Sequence, residues 1–140
     1  MNPASIAKES ESSHQIALFA WCSQNVKKYP ELEWFHAIPN GGSRGDNPQA
    51  RAIRGAKLIA EGVRPGVSDT FLPVKRGMYS GLYIEMKKPS VKPKKKTSKG
   101  GVSKEQLDFG NFVQSQGFGF VVCYSWEDAV NVLIEYLNYK

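Results

Sequence analysis

Apolar and polar positions change their period several times along the chain, and each change marks an element. From about Ser10 to Lys28, Ile16, Phe19, Ala20 and Val26 recur near helical spacing and Pro30 stops the run, so a first helix is predicted there. Glu33-Trp34-Phe35-His36-Ala37-Ile38 is short, aromatic and closed by Pro39, and reads as a strand. From Pro48 to Glu61 the helical period returns, with Ala52, Ile53, Ala56, Ile59 and Ala60 as an apolar stripe. Asn47 suits its N-cap, Pro48 its first position and Gly62 its end. Thr70-Phe71-Leu72-Pro73-Val74 and Leu82-Tyr83-Ile84-Glu85-Met86-Lys87 are then predicted to pair as an antiparallel hairpin. A helix follows over Ser103–Gln116, with Leu107, Phe109, Phe112 and Val113 as core positions and Gly117 at its end. Gly119-Phe120-Val121-Val122-Cys123-Tyr124 is almost continuously apolar and predicts a buried strand. Ser125 caps a last helix, Trp126–Leu137, with Ala129, Val130, Leu133, Ile134 and Leu137 inward.

This order predicts a small α/β domain, a mixed sheet flanked by helices. The connection through the 103–116 helix allows the last strand to run parallel to a neighbour. With 140 residues the chain is read as one domain, residues 1–140, with a polar lead-in over 1–10.

Two regions do not alternate. Pro39-Asn40-Gly41-Gly42-Ser43-Arg44-Gly45-Asp46-Asn47 is rich in residues that tolerate positive φ; it turns the chain, or its amides and Arg44 hold a phosphate. Between Lys87 and Lys104 there are eight lysines and no acid, interrupted by Pro89, Pro93, Gly100 and Gly101. Such a segment cannot pack as an element, and residues 88–102 are read as a mobile basic loop. Arg51, Arg54 and Lys57 add a basic face to the 48–61 helix, either merely solvated or lying along a nucleic-acid backbone. The net charge of +6 and pI near 9.3 agree with a polyanionic partner.

Other chemistries are poorly supported. Cys22 and Cys123 are a hundred residues apart and belong to no metal-ligand spacing, so a zinc site or disulfide framework is not expected. No apolar run approaches a membrane span, and the first fifteen residues lack a basic-then-apolar pattern, which predicts an intracellular protein with no membrane partner.

The strand at 82–87 carries the chemistry. Side chains alternate on a strand, so Leu82, Ile84 and Met86 share one face and Tyr83, Glu85 and Lys87 the other. Asp69, at the mouth of the preceding strand, can sit across the hairpin from Glu85. Two carboxylates and a lysine at a strand end suit a hard cation and a phosphate. On spacing alone they read as readily as an ion pair on an edge strand. In Ser103-Lys104-Glu105-Gln106, Gln106 completes a capping box and needs no further explanation. Glu11 can be a favourable first-turn charge, and His14 and His36 receive no role.

Together these segments resemble the PD-(D/E)XK nuclease superfamily, in particular the stand-alone, phage-type form of its VRR-NUC family. The similar stretches are Pro39-Asn40-Gly41-Gly42, Gly62-Val63-Arg64-Pro65-Gly66-Val67-Ser68-Asp69, Ile84-Glu85-Met86-Lys87 and Ser103-Lys104-Glu105-Gln106, within residues 10 to 137. The chain departs from the pattern at Ser68, which precedes Asp69 while the proline stands at Pro65. The resemblance implies a restriction-endonuclease-like fold and metal-dependent hydrolysis of DNA. Asp69, Glu85 and the Met86 backbone carbonyl would bind Mg²⁺ or Mn²⁺, with Glu11, or Glu9 in its place, joining them. Lys87 would handle the attacking water or the phosphate, and Gln106 would orient Lys87, the water or a phosphate oxygen. Arg44, Arg51, Arg54, Lys88, Lys94, Lys95, Lys96 and Lys99 would contact DNA. No organic cofactor is implied. The relatives suggest a homodimer acting on branched, four-way DNA in the cytoplasm of a bacterial host. A flap or nicking nuclease and a non-catalytic DNA-binding module are the alternatives.

Overall fold

A computed structural model of the chain describes residues 1–39 and 47–140. The Asn40-Gly41-Gly42 motif and Arg44 lie outside the described residues. The elements are α1 (Pro3–Ile6), α2 (Glu11–Gln24), β1 (His36–Ala37), α3 (Pro48–Ala60), β2 (Thr70–Leu72), β3 (Leu82–Met86), α4 (Lys104–Ser115), β4 (Gly119–Cys123) and α5 (Trp126–Asn138).

The sheet order is β1-β2-β3-β4, with the first two pairings antiparallel and the last parallel. This is the expected mixed sheet flanked by helices. Leu82, Ile84 and Met86 are buried with Leu72 and Cys123 against Leu18 of α2 and Ala129 and Leu133 of α5. The opposite face carries a smaller aromatic layer, in which Tyr83 stands edge-on to Phe109 of α4 with ring centroids 5.1 Å apart. α4 approaches closely because residue 110 is glycine: a Cβ there would fall 2.6 Å from the Phe120 ring. Each long helix starts at the polar residue expected of it, with Ser10, Asn47, Ser103 and Ser125 accepting from the N–H three residues on.

Several assignments differ from the pattern. In the run at 33–38, Glu33 and Trp34 end a 3₁₀ turn, Pro30–Trp34, and only His36–Ala37 pair as a strand. Proline at the head of the run starts a turn more readily than it enters a sheet. The lead-in contains a one-turn helix, α1. In α2 the buried face is His14, Ala17, Leu18, Ala20 and Cys22, while Ile16 is exposed. In α4, Leu107 and Phe112 face solvent, and Gly110 and Val113 face inward. No residue of α3 is buried, and Ile53 is 70% exposed, so its apolar stripe covers nothing among the described residues. β4 is an edge strand whose Phe120, Val121 and Val122 are only half-buried. β3 lies inside the sheet, so its charges are not on an edge strand.

Both cysteines are free and buried, and burial pushes each thiol up to about 12. Among the described residues no helix is long and apolar enough to cross a membrane. The segment after β3 forms a short 3₁₀ turn at Pro89–Val91 and is tied down at two points: Ser90 N–H donates to Glu9 Oε1, and Tyr124 Oη donates to the Gly100 carbonyl.

Candidate metal and phosphate site

β3 delivers the site because two adjacent pairings fix its register. Thr70 lies opposite Ile84, which puts Asp69 across from Glu85 one position further along. The Thr70 hydroxyl locks that register by donating to the Ile84 carbonyl at 2.8 Å. On the other side Glu85 pairs with Val122, and Lys87 N–H donates to the Cys123 carbonyl at 2.8 Å. Ile38 N–H donates to the Asp69 carbonyl at 2.7 Å, so β1 braces the same residue.

The turn before Asp69 is held just as firmly. Gly66 adopts φ +87°, and a Cβ there would lie 2.4 Å from the Glu105 carbonyl oxygen. Only glycine lets the 62–68 turn lie this close to the start of α4. The turn thereby brings the mouth of β2 and the capping box of α4 to the same end of the sheet.

Glu85 is 1% exposed. Its Oε1 accepts from Gln106 Nε2 at 2.8 Å, while its Oε2 is buried and meets no donor. Gln106 thus does two things: its Oε1 accepts from Ser103 N–H at 2.9 Å to close the capping box, and its amide nitrogen holds Glu85. The resemblance points Gln106 at Lys87, water or phosphate; in the structure it grips the carboxylate. Asp69 turns one oxygen inward, where Oδ2 accepts from Met86 N–H at 2.8 Å. Lys87 is 6% exposed, with Nζ 3.7 Å from Glu85 Oε1 and 3.6 Å from Glu11 Oε1.

Burial raises the Glu85 pKa to about 8, the Asp69 charge adds to the rise, Lys87 opposes it, and a side-chain hydrogen bond with Asp69 favours the protonated form further. At neutral pH this carboxyl holds a proton in the metal-free protein. Two carboxyl groups this close share a proton where a cation would otherwise offset their charge. Two carboxylates and a neighbouring backbone carbonyl are hard oxygen donors and fit Mg²⁺ or Mn²⁺, which retain several waters. No group of three His, Cys, Asp and Glu side chains is assembled among the described residues.

A cavity of about 230 Å³ opens beside Asp69, lined by Glu11, Ser12, Gln15 and Ile16 of α2. Glu11 thus faces the site, whereas Glu9 bonds to Ser90 N–H, a contact that lowers its pKa. Sequence reasoning does not place Ser12, Gln15 or Ile16 here. The available signal is their position on the first two turns of α2, one, four and five residues after Glu11. Ser68, which stands before Asp69, is fully buried, and its hydroxyl has no partner.

The basic residues are more dispersed. Arg51 and Arg54 lie on exposed α3, Lys88 directly follows the site, and Lys94, Lys95, Lys96 and Lys99 are exposed. Lys94 and Lys95 line a concavity of about 500 Å³ with Ser90, Thr97 and Gly101. A Cβ on Gly101 would lie 3.6 Å from the Lys87 side chain, so this segment passes over the stem of the site lysine. His14 and His36 stay outside the site: His14 Nδ1 accepts from Trp126 N–H at 3.0 Å, and His36 Nδ1 lies 2.9 Å from the Trp34 carbonyl.

No family model matches the sequence, and no curated protein does. Comparison with solved structures does find a match. A protein described as a VRR_NUC domain protein superposes with a TM-score of 0.67 over 93% of this chain and 91% of its own, at 22% sequence identity. The chain therefore shares the fold of that VRR_NUC domain protein, and in it β2, β3 and the start of α4 bring Asp69, Glu85, Lys87 and Gln106 to one end of the sheet.

Proposed function

We propose that the protein is a divalent-metal-dependent nuclease that hydrolyses DNA phosphodiester bonds. The observation that carries this reading is the buried Glu85 carboxyl, whose Oε2 meets no donor but lies against the Asp69 carboxylate, and whose Oε1 lies 3.7 Å from the buried Lys87 ammonium. Glu85 Oε2, Asp69 and the Met86 carbonyl would hold Mg²⁺ or Mn²⁺, and Glu11, which lines the adjoining cavity, would join them directly or through water. When bound, the ion supplies Lewis acidity and lowers the pKa of a water molecule.

The chain's own residues do the rest. Gln106 fixes Glu85 Oε1 and leaves the other carboxylate oxygen for the ion. The Lys87 ammonium, shared between Glu85 and Glu11, would hold the attacking water or a non-bridging phosphate oxygen and offset charge that develops on it. The attacking water oxygen gives up a proton to solvent as it forms a new bond to phosphorus, one phosphorus–oxygen ester bond breaks, and the departing oxygen takes a proton from solvent. No histidine base is required.

The lysine-rich segment that starts at Lys88, with Arg51 and Arg54, would hold the DNA backbone by counterion release. The exposed apolar stripe of α3, with Ile53 and Ile59, favours a homodimer, because a second copy can bury what the described residues leave open. Two sites related by a two-fold axis suit symmetric incision of a four-way junction; a flap or nicking nuclease is the alternative. The test is incubation of the protein with Mg²⁺ or Mn²⁺ and junction, flap, duplex and single-stranded DNA, with Glu85→Ala as control. Paired nicks confined to the junction are expected. Equal cutting of every substrate contradicts junction specificity, and binding without any cutting makes the protein a DNA-binding module.

A further inference from the structure

Ser68 is fully buried, and its hydroxyl has no hydrogen-bond partner. Buried hydroxyls are as a rule paired, so an unpaired one calls for a physical reason. Ser68, Thr70 and Leu72 are buried, while Asp69 and Phe71 between them are half-buried. The alternation of β2 therefore extends back to Ser68, which shares a face with Thr70 and stands on the face opposite to the Asp69 carboxylate.

The hairpin register fixes what lies across from it. Thr70 pairs with Ile84, and the Thr70 hydroxyl donates to the carbonyl of that same residue at 2.8 Å. Two positions earlier on the first strand and two later on the second, Ser68 comes opposite Met86 in the same relation. The Met86 backbone is turned to this side of β3: its N–H donates to Asp69 Oδ2, whereas the next N–H, of Lys87, donates to Cys123 of β4. In an antiparallel pair a residue directs its N–H and its C=O to the same neighbour, so the Met86 carbonyl also faces the strand that carries Ser68. Directly opposite residues have Cα atoms about 4.5–5.5 Å apart. A side-chain hydroxyl and a carbonyl bridge that span, as Thr70 and Ile84 do.

We propose, on the reading of the Met86 carbonyl as a metal ligand, that Ser68 is its positioning residue: when that oxygen takes up a cation, the Ser68 hydroxyl donates to its second lone pair and holds it toward the ion. A carbonyl oxygen has two lone pairs, so it accepts a hydroxyl while it binds an ion. The serine hydroxyl moves between three staggered positions by rotation about one torsion. Groups that hold a metal ligand from behind set metal affinity, typically by about 10–100-fold. In the metal-free chain the same hydroxyl is unpaired and lends the fold no hydrogen bond.

The test is calorimetric titration of the full chain with Mn²⁺ for wild type, Ser68→Ala and Ser68→Thr. Expected is an affinity about tenfold weaker for Ser68→Ala, with recovery in Ser68→Thr, which keeps the hydroxyl. The melting temperature of Ser68→Ala in chelator should not fall, because the metal-free fold loses no hydrogen bond. A second reading uses isotope-labelled protein and Mg²⁺: the Met86 carbonyl carbon resonance should shift on binding in wild type and by a smaller amount in Ser68→Ala. Equal Mn²⁺ affinity of wild type and Ser68→Ala overturns the proposal and leaves the metal site standing. A lowered melting temperature of Ser68→Ala with unchanged affinity overturns it too, and makes the hydroxyl a packing group of the hairpin. Failure of wild type itself to bind Mn²⁺ at millimolar concentration overturns the proposal together with the metal-site reading.

Discussion

Replacing Glu85 by glutamine removes a carboxyl that the fold favours in its protonated form at neutral pH. Glu85 is 1% exposed, its Oε2 meets no donor, and its pKa is raised from 4.5 to about 8 by burial, by the Asp69 charge and by a side-chain hydrogen bond with Asp69. A pKa raised on folding means that the folded protein binds the proton more tightly than the unfolded chain. The associated stability is therefore complete below about pH 4.5 and is lost as pH rises through about 8. Because a tenfold change in proton affinity is worth about 1.4 kcal/mol, ionising Glu85 in the metal-free protein costs on the order of 4–5 kcal/mol. Metal-free wild type should lose stability between pH 5 and pH 8, and Glu85→Gln should lose much less, so that the variant is the more stable protein at pH 8. Urea unfolding at pH 5, 6, 7 and 8 in the presence of chelator measures this directly. Binding of Mn²⁺ to wild type should release a proton at pH 7, and binding to Glu85→Gln should not, read by titration calorimetry in buffers of different ionisation enthalpy. Identical pH slopes for wild type and Glu85→Gln would show that Glu85 does not carry the proton.

Other consequences rest on single contacts. Gln106→Ala removes the capping box and the support of Glu85 Oε1 together, and should cost about 1–3 kcal/mol in chelator, measured by denaturant unfolding. Gly110→Leu places side-chain atoms where the Phe120 ring lies and should destabilise by about 1–3 kcal/mol or more, read as a lowered melting temperature. Replacing Lys94, Lys95 and Lys96 by glutamine should weaken binding to every DNA shape alike. It should also flatten the dependence of log affinity on log salt by about two to three units, read by fluorescence anisotropy.

The parts of the fold that are legible in the sequence are those set by local physics. The alternation in Leu82–Lys87 places three residues in the core and two charges on the other face, and the caps Asn47, Ser103 and Ser125 mark their helices. What is not legible depends on partners far along the chain. The apolar run at 119–124 gives no sign of whether a neighbour lies on one side or two, and in the structure β4 is the edge. Ile53 and Ile59 have helical spacing, yet nothing in a stripe says whether this chain covers it. In the site, Asp69 opposite Glu85 follows from hairpin register. The Gln106 bond to Glu85 does not, because the capping box accounts for that residue locally, and its amide nitrogen meets Glu85 only through the approach of α4 to β3. The same holds for Gln15, whose position beside Asp69 is a matter of how α2 docks.

Whether Asp69, Glu85 and Lys87 form a metal-dependent phosphodiester-cleaving site is decided by cleavage of end-labelled DNA. Wild type, Asp69→Ala and Lys87→Ala, each confirmed folded by circular dichroism, are compared with Mn²⁺, Mg²⁺ or chelator. Cleavage by wild type only with a divalent ion, and none by either variant, is the predicted result. Undiminished cleavage by a folded Asp69→Ala or Lys87→Ala protein, or cleavage that persists in chelator, would contradict it.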